Sequence, residues 1–301
     1  MNQHLSIHDL LVEKYAGLHA ILTNRNGGIS NTPFDTLNLA YHVNDSKEHV
    51  IFNRTQIMRQ YYPEKSLLYL NQIHSNHIIT LYKRNTEKLQ IQNISHHNSL
   101  KIALYTYHAK DSICLKEYTI QVPHAKQSNH QDTNLQEICL GDADGIICDD
   151  SDFVAMIMVA DCNPILLYCP KKKVFALLHA GRKGVCQSIL THAVILLRRD
   201  YMVDVADLRI FIGASIRKCC YEVGFDIAQN ITEQFGNKHI YQVDTKYMLD
   251  MISILCEEMQ KIGIQESHIT IPNLCSSCNK EYFSYRRENT TGRFGIFATL
   301  Q

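Results

Sequence analysis

Two side chains able to ligate a metal, or to act as a nucleophile and its base, sit at the ends of apolar runs. Cys162 follows Phe-Val-Ala-Met-Ile-Met-Val in Ala-Asp-Cys-Asn-Pro, and His179 follows Val-Phe-Ala-Leu in Leu-His-Ala-Gly. A thiolate and an imidazole suit a borderline-soft cation such as Zn²⁺. They equally suit a cysteine hydrolase with Cys162 as nucleophile and His179 as base. His74, in Gln-Ile-His-Ser, stands where an apolar stretch turns polar. It would complete a three-ligand set with an open fourth position, as in catalytic rather than structural zinc sites, or it is a structural or surface histidine. The three are far apart along the chain and no local motif such as His-Glu-x-x-His joins them, so spacing alone leaves these readings open. Asp161, beside Cys162, could orient a ligating imidazole, although neighbouring strand residues face opposite ways. Cys275-x-x-Cys278 is a further thiol pair, but it lacks a good partner pair for a non-catalytic zinc module.

Such groups need rigid carriers. From Gly141 to Gly184, three apolar runs broken by Gly, Asp, Pro and Lys clusters predict consecutive buried strands, with Cys162 and His179 each at a strand end before a Pro or Gly bend. Leu18 to Thr23 predicts a strand, followed by the turn Asn24-Arg25-Asn26-Gly27-Gly28. Its glycines either leave backbone N–H groups facing an anion beside Arg25 or simply make a loop turn. A helix is expected from Asp45, capped by Asp45 with Glu48, carrying Val50, Ile51, Ile57, Met58 and Tyr61 on one face and ended by Pro63. Arg54 interrupts that face, either pointing along a cleft or snorkelling at the surface. Ile78 to Tyr82 and Leu208 to Ile212 read as strands. Val185 to Leu197, a short helix capped by Asp226 and closed by Gly236, and Met248 to Ile262 ending at Gly263 read as helices. Tyr282 to Tyr285 and Phe294 to Thr299 read as strands around a basic turn from Arg286 to Arg293.

Residues 83–140 differ from their surroundings. They are polar and contain His96, His97, His108, His124 and His130, no pair of which has a clean ligand spacing. With weak alternation at Ile102 to Tyr107 and Tyr118 to Val122, the stretch is expected to form a hairpin or small subdomain inserted at the rim of a single domain spanning 1–301. Strands and helices intermix without a βαβ rhythm, which predicts an α+β fold, a layered α/β sandwich with mixed β-sheets rather than a Rossmann fold.

The 301 residues are 45% hydrophobic, enough for a sizeable core. Thirty basic residues balance thirty acidic ones, which argues against a nucleic-acid partner. The first residues have no secretory pattern and no apolar run has bilayer length, so no membrane association is expected. Eleven irregularly spaced cysteines, an odd number, point to reduced thiols in the cytoplasm.

Ordered motifs then carry a resemblance. They include Thr23-x-Arg25-x-Gly27-Gly28-x-Ser30, Leu37-Asn38-Leu39 with His42-Val43 and Asp45, Asn53-Arg54, Gln72-Ile73-His74 and Asp144. They continue with Ala160-Asp161-Cys162-x-Pro164, His179-Ala180-Gly181-x-Lys183-Gly184, Ile212-Gly213, Cys220-Tyr221-Glu222-Val223, Phe283-Ser284-Tyr285-Arg286-Arg287 and Thr291-Gly292-Arg293. Together they resemble the YfiH-type family, long labelled multicopper polyphenol oxidase or laccase-domain protein and now assigned as purine nucleoside phosphorylase with adenosine deaminase and methylthioadenosine phosphorylase activities. The resemblance covers nearly the whole chain apart from the insertion. It implies a zinc site on His74, Cys162 and His179, small-molecule nucleoside and phosphate as partners, and Arg25, Arg54, Lys183, Arg286 and Arg293 as candidate phosphate-binding cations. Copper is the less expected metal, because a laccase needs several His-x-His motifs and this chain has none. Departures border the expected site: Arg182 stands where the family usually has Trp, Ser75 replaces a Gly, Ala214 and Ser215 replace Pro and Ala, and Arg217 replaces a Gly.

Overall fold

The computed structural model describes residues 16–81, 99–108, 112–121 and 135–301. In chain order, β1 (Leu18–Leu22) is followed by α1 (Lys47–Tyr61), β2 (Ser66–Asn71), β3 (Ile78–Leu81), β4 (Ser99–His108), β5 (Ser112–Gln121), β6 (Glu137–Asp142), β7 (Gly145–Cys148), β8 (Phe153–Val159), β9 (Asn163–Cys169) and β10 (Val174–Ala180). Helices then become frequent: α2 (Arg182–Cys186), α3 (Ile189–Tyr201), β11 (Arg209–Ile212), β12 (Glu222–Val223), α4 (Phe225–Phe235), β13 (Ile240–Val243), β14 (Lys246–Leu249), α5 (Met251–Ile262), β15 (Ile269–Thr270), α6 (Tyr285–Glu288) and β16 (Phe294–Leu300).

Two large sheets stack face to face. One runs β1-β16-β8-β2-β6 and the other β15-β11-β9-β10-β7-β3-β4-β5, and a small sheet β12-β14-β13 lies apart. Both large sheets are mixed: β2 runs parallel to β6 and β8, β3 to β7 and β11 to β15, while the other pairs are antiparallel. Between the sheets lie Leu22, Ile157, Leu166, Tyr168, Phe175, Leu177 and Phe294. The far face of the larger sheet, with Ile165, Leu167, Ala176 and Leu178, packs on α3 and α5 through Leu190, Leu197, Leu255 and Met259. The far face of the smaller sheet, with Val154, Met156 and Phe297, packs on α1 through Ile57 and Met58. The expected layered sandwich with mixed sheets is thus realised as helix, sheet, sheet, helices. Consecutive residues of β9 are buried on opposite faces, which is why that stretch reads as continuously apolar rather than alternating.

Several local expectations change. The middle apolar run is two strands, β8 in one sheet and β9 in the other, joined by a turn in which Asp161 takes φ 87°. Cys162 therefore sits in a crossing between sheets, just before a strand. The helix expected over Val185 to Leu197 is broken into α2 and α3 at Ser188, φ 55°. Ser46, not Asp45, caps α1 by accepting from the His49 N–H, while the Asp45 carboxylate accepts from Ser30 and Asn38. Gly224 rather than Asp226 is the N-cap of α4, and Asp226 falls in its first turn. Met248 belongs to β14, and α5 begins at Met251 behind an Asp250 cap and closes at Gly263 as expected. Tyr282 to Tyr285 is not a strand: the Ser284 hydroxyl accepts from the Arg287 N–H and opens α6. Within the polar stretch, β4 and β5 pair as an antiparallel hairpin at the end of the larger sheet. Val122, His96, His97, His124 and His130 lie outside the described residues. No helix among the described residues is long and apolar enough to cross a membrane.

Candidate active site

Sheet register brings the distant groups together. In the β9–β10 ladder His179 lies opposite Pro164, two residues from Cys162. In the β10–β7 ladder Leu178 lies opposite Gly145, so Asp144 falls beside His179, whose N–H donates to the Asp144 carbonyl at 2.7 Å. Parallel pairing of β3 with β7 sets Ile78 opposite Gly145 and carries the β2–β3 turn, with His74, to the same corner.

Asp144 holds that corner. Its buried carboxylate accepts from the backbone N–H groups of His74 (3.0 Å) and Ser75 (2.6 Å) and the Ser75 hydroxyl (2.6 Å), and meets His179 Nδ1 at 2.7 Å. With Nδ1 engaged by a carboxylate, His179 is left with Nε2 to face the other two residues. Ser75, the departure from the family's Gly, thus adds a donor to this carboxylate. Burial opposes ionisation of Asp144, but His179 and Ser75 hold its carboxyl below the ordinary aspartate value.

One ligand atom each from His74, Cys162 and His179 lies within 4.8 Å of the other two. His74 Nε2 is 3.9 Å from Cys162 Sγ, and the two imidazoles meet edge to face with centroids 4.8 Å apart. Two non-glycine residues here adopt the left-handed region: His74 at φ 58° and Asp161 at φ 87°. The first is held by Asp144. The second is held by its carboxylate, which accepts from Ser276 Oγ and the Arg286 N–H, each at 2.7 Å. Asp161 therefore positions backbone, and Asp144 performs the imidazole-orienting task considered for Asp161. Gly181 leaves the cluster its space, since a Cβ there would come within 2.9 Å of Cys162 Sγ and 3.1 Å of His74 Cδ2. Burial opposes a thiolate at Cys162, yet the neighbouring imidazoles of His179 and His74 bring its pKa down to about 6. Burial likewise opposes charge on His179, but Cys162 and Asp144 raise it to about 9. A thiolate and two imidazoles converging within 4.8 Å are a donor set that fits a borderline-soft divalent cation.

The cluster forms one wall of a cavity of about 540 Å³, lined also by His42, Arg182, Lys183, Tyr221, Arg286 and Arg293. Lys183, Arg286 and Arg293 are thus among the residues lining this cavity. Arg25 and Arg54 are not. Arg54 is fully buried, donating to the Leu39 carbonyl and to Glu137 at 2.8 Å each, with its guanidinium over the rings of Tyr41 (4.2 Å) and Tyr69 (4.6 Å). Arg25 pairs with Glu288 at 2.6 Å and lies over the Phe283 ring. The Gly27-Gly28 turn folds onto its own chain, because the Gly28 N–H donates to Thr36 Oγ1 and a Cβ at Gly28 would stand 2.3 Å from the Thr36 carbonyl oxygen.

Sequence reasoning missed the roles of Asp144, His42, Arg182 and Tyr221. Arg182 had a signal, being next to His-Ala-Gly. Burial and the Arg293 guanidinium push the His42 pKa down, keeping it neutral. Burial keeps the Tyr221 phenol protonated, and Arg286 lies over its ring at 5.3 Å while donating to the Glu222 carbonyl.

Comparison with known proteins identifies the lineage. A family model described as multi-copper polyphenol oxidoreductase laccase matches residues 19–301. The chain belongs to this family. Within the laccase-type family, a purine nucleoside phosphorylase of Clostridium acetobutylicum is 30% identical over 214 residues, 66% of this chain and 87% of that protein. A purine nucleoside phosphorylase of Haemophilus influenzae is 26% identical over 282 residues, covering 92% and 91% of the two chains. The crystal structure of the Bacillus licheniformis protein YfiH superposes with a TM-score of 0.71 at 25% identity, covering 94% of this chain and 93% of that one. The layered fold is thus the YfiH fold, and the relatives' names support an enzyme acting on nucleosides.

Proposed function

We propose that this chain is a zinc-dependent purine nucleoside phosphorylase, converting adenosine, inosine or methylthioadenosine to free base and the ribose 1-phosphate, with adenosine deamination as a second reaction of the same pocket. The observation that carries this reading is the convergence of His74, Cys162 and His179 on the wall of a cavity whose lining also includes Arg182, Lys183, Arg286 and Arg293. Those three residues would hold Zn²⁺, which when bound supplies Lewis acidity and a lowered pKa for water. The chain is taken as one catalytic domain over 1–301 with 83–140 inserted, working in the cytoplasm.

The remaining chemistry falls to the chain's own residues. In phosphorolysis a phosphate oxygen bonds to the ribose anomeric carbon while the glycosidic bond breaks. The bonding pair leaves with the purine, which takes up a proton. Arg182, Lys183, Arg286 and Arg293 offset the phosphate charge and hold it for attack. Arg286 is already oriented through its backbone N–H on Asp161 and its guanidinium on the Glu222 carbonyl. Neutral His42 and Tyr221 can each donate or accept a hydrogen bond to sugar or base without adding charge. In deamination water adds at purine C6 and ammonia leaves, in a pocket where Asp144 fixes the imidazole that faces the reacting end.

The depressed Cys162 thiol favours a second reading, a cysteine hydrolase with His179 as base. Metal analysis combined with chromatography of products from a nucleoside panel, with and without phosphate, separates the two. The expected result is about one equivalent of zinc per chain held at this site and lost from it in Cys162→Ala, with phosphate-dependent release of hypoxanthine or adenine. Release left unchanged by His74→Ala or Cys162→Ala would overturn the site assignment.

A further inference from the structure

The pair Cys275-x-x-Cys278 finds in three dimensions the partner pair that the sequence seemed to lack. Cys219 Sγ is 3.6 Å and Cys220 Sγ 3.2 Å from Cys278 Sγ, and the sulfurs of Cys219, Cys220, Cys275 and Cys278 all lie within 4.8 Å of one another. A tetrahedral zinc tetrathiolate with bonds of about 2.3 Å has sulfur–sulfur edges of about 3.8 Å, so these spacings need only small side-chain rotations to close on one ion. We propose that these four cysteines form a second metal centre, a structural Zn²⁺ site of Cys₄ type.

Two further observations support a cation rather than four idle thiols. Backbone N–H groups of Arg217, Ser277 and Cys278 interact with the Cys275 sulfur. Donors converging on one sulfur are what a metal-bound thiolate requires from its surroundings. Beside the cluster, the Arg217 guanidinium donates to the carbonyls of Leu274, Gly213 and Pro272, and its Nη1 is buried without a hydrogen-bond partner among the described residues. A tetrathiolate around a divalent ion carries two net negative charges, and this cation, electrostatically coupled to Cys275 and Cys219, offsets one. Binding releases the remaining thiol protons to solvent.

The centre would tie together two segments that carry parts of the cavity. One is the turn from Arg217 to Tyr221, closed by hydrogen bonds from Cys220 and Tyr221 to the Arg217 carbonyl. The other runs from Leu274 to Asn279 and is joined through the Ser215–Cys275 bridge to the chain just before the first. Tyr221 lines the cavity and Ser276 donates to Asp161, so a metal here staples the pocket wall. Four thiolates fill four positions, leaving none for substrate.

The test starts from the full-length His74→Ala, Cys162→Ala double variant, prepared under reducing conditions, so that the first site contributes nothing. About one zinc per chain is expected to remain, and one equivalent of Co²⁺ should develop thiolate-to-cobalt charge transfer with intense tetrahedral d–d absorption. Adding Cys219→Ser and Cys278→Ser, both exposed positions, should take the retained zinc from about one to near zero with the far-ultraviolet circular dichroism unchanged. Zinc content indifferent to those serines, or a cobalt spectrum without the charge-transfer band, overturns the proposal. So does a Cys220–Cys278 disulfide found by peptide mapping, since that would spend two of the four ligands on each other. Should the serine variant fold poorly, the cobalt titration of the parent decides alone.

Discussion

Asp144 is the residue whose removal tests the pocket most directly, because one carboxylate orients an imidazole and fixes the turn that carries another. Asp144→Asn keeps the shape but gives up the charge facing His179 Nδ1. We expect zinc affinity, measured by chelator competition, to fall about 10- to 100-fold while the fold persists. Gly181→Ala is the steric counterpart: its φ of −72° suits alanine, but the new methyl crowds Cys162 Sγ. Nucleoside turnover should drop at least about tenfold with little change in melting temperature. Glu288 supplies a pH test away from the cluster. Burial would raise its pKa, but Thr291, Arg287 and Arg25 hold it below the ordinary 4.5. A depressed carboxylate stabilises the fold above its unfolded value and loses that contribution as pH falls through the folded one. Glu288→Gln should therefore be less stable than the parent by on the order of 1 kcal/mol at neutral pH, with the gap closing below about pH 4.5 in urea unfolding. The ligand types at His74, Cys162 and His179 were legible as chemistry in the sequence, but the orienting carboxylate was not. What puts Asp144 beside His179 is strand register, which no spacing reveals. The partners of Arg25 and Arg54 were hidden for the same reason, since Glu288 and Glu137 lie 263 and 83 residues away, although Asp35 close in sequence also pairs with Arg25.

At the level of elements, the apolar runs marked the strands well, and errors gathered where burial is continuous. Nothing in Met-Ile-Met-Val-Ala-Asp-Cys-Asn-Pro-Ile-Leu says that the chain changes sheets, since both flanks are buried on both faces. The end of α5 followed its explicit Gly263, but its start behind Asp250 did not show, nor did that of α1, where Asp45 was drawn away by Ser30 and Asn38. The α1 face contains a buried cation instead of an apolar side chain. Arg54→Met should leave Glu137 with the Tyr41 hydroxyl but without its cationic partner and strip two tyrosine rings of theirs, lowering stability by about 3 kcal/mol in denaturant titration. Turnover per folded molecule should stay the same, which a phosphate-binding role for Arg54 would not allow.

For the whole molecule, the class of fold was readable because helices and strands mix without a crossover rhythm, while the number of layers was not, because it depends on which strands leave one sheet for the other. The pocket occupies one corner where turns of both sheets meet, so its geometry depends on how the sheets are docked. The strand order also has a consequence during synthesis. Inside the smaller sheet, next to its edge strand β1, lies β16, which joins β1 to β8 by antiparallel pairing from Phe294 to Leu300. Translation must run from β1 all the way through β16 before the earliest described strand meets its neighbour, and until then the apolar edges of β1 and β8 stay open to chaperones. Nascent chains stalled before Phe294 should accordingly be cut by protease within β1, and those released beyond Leu300 should resist it.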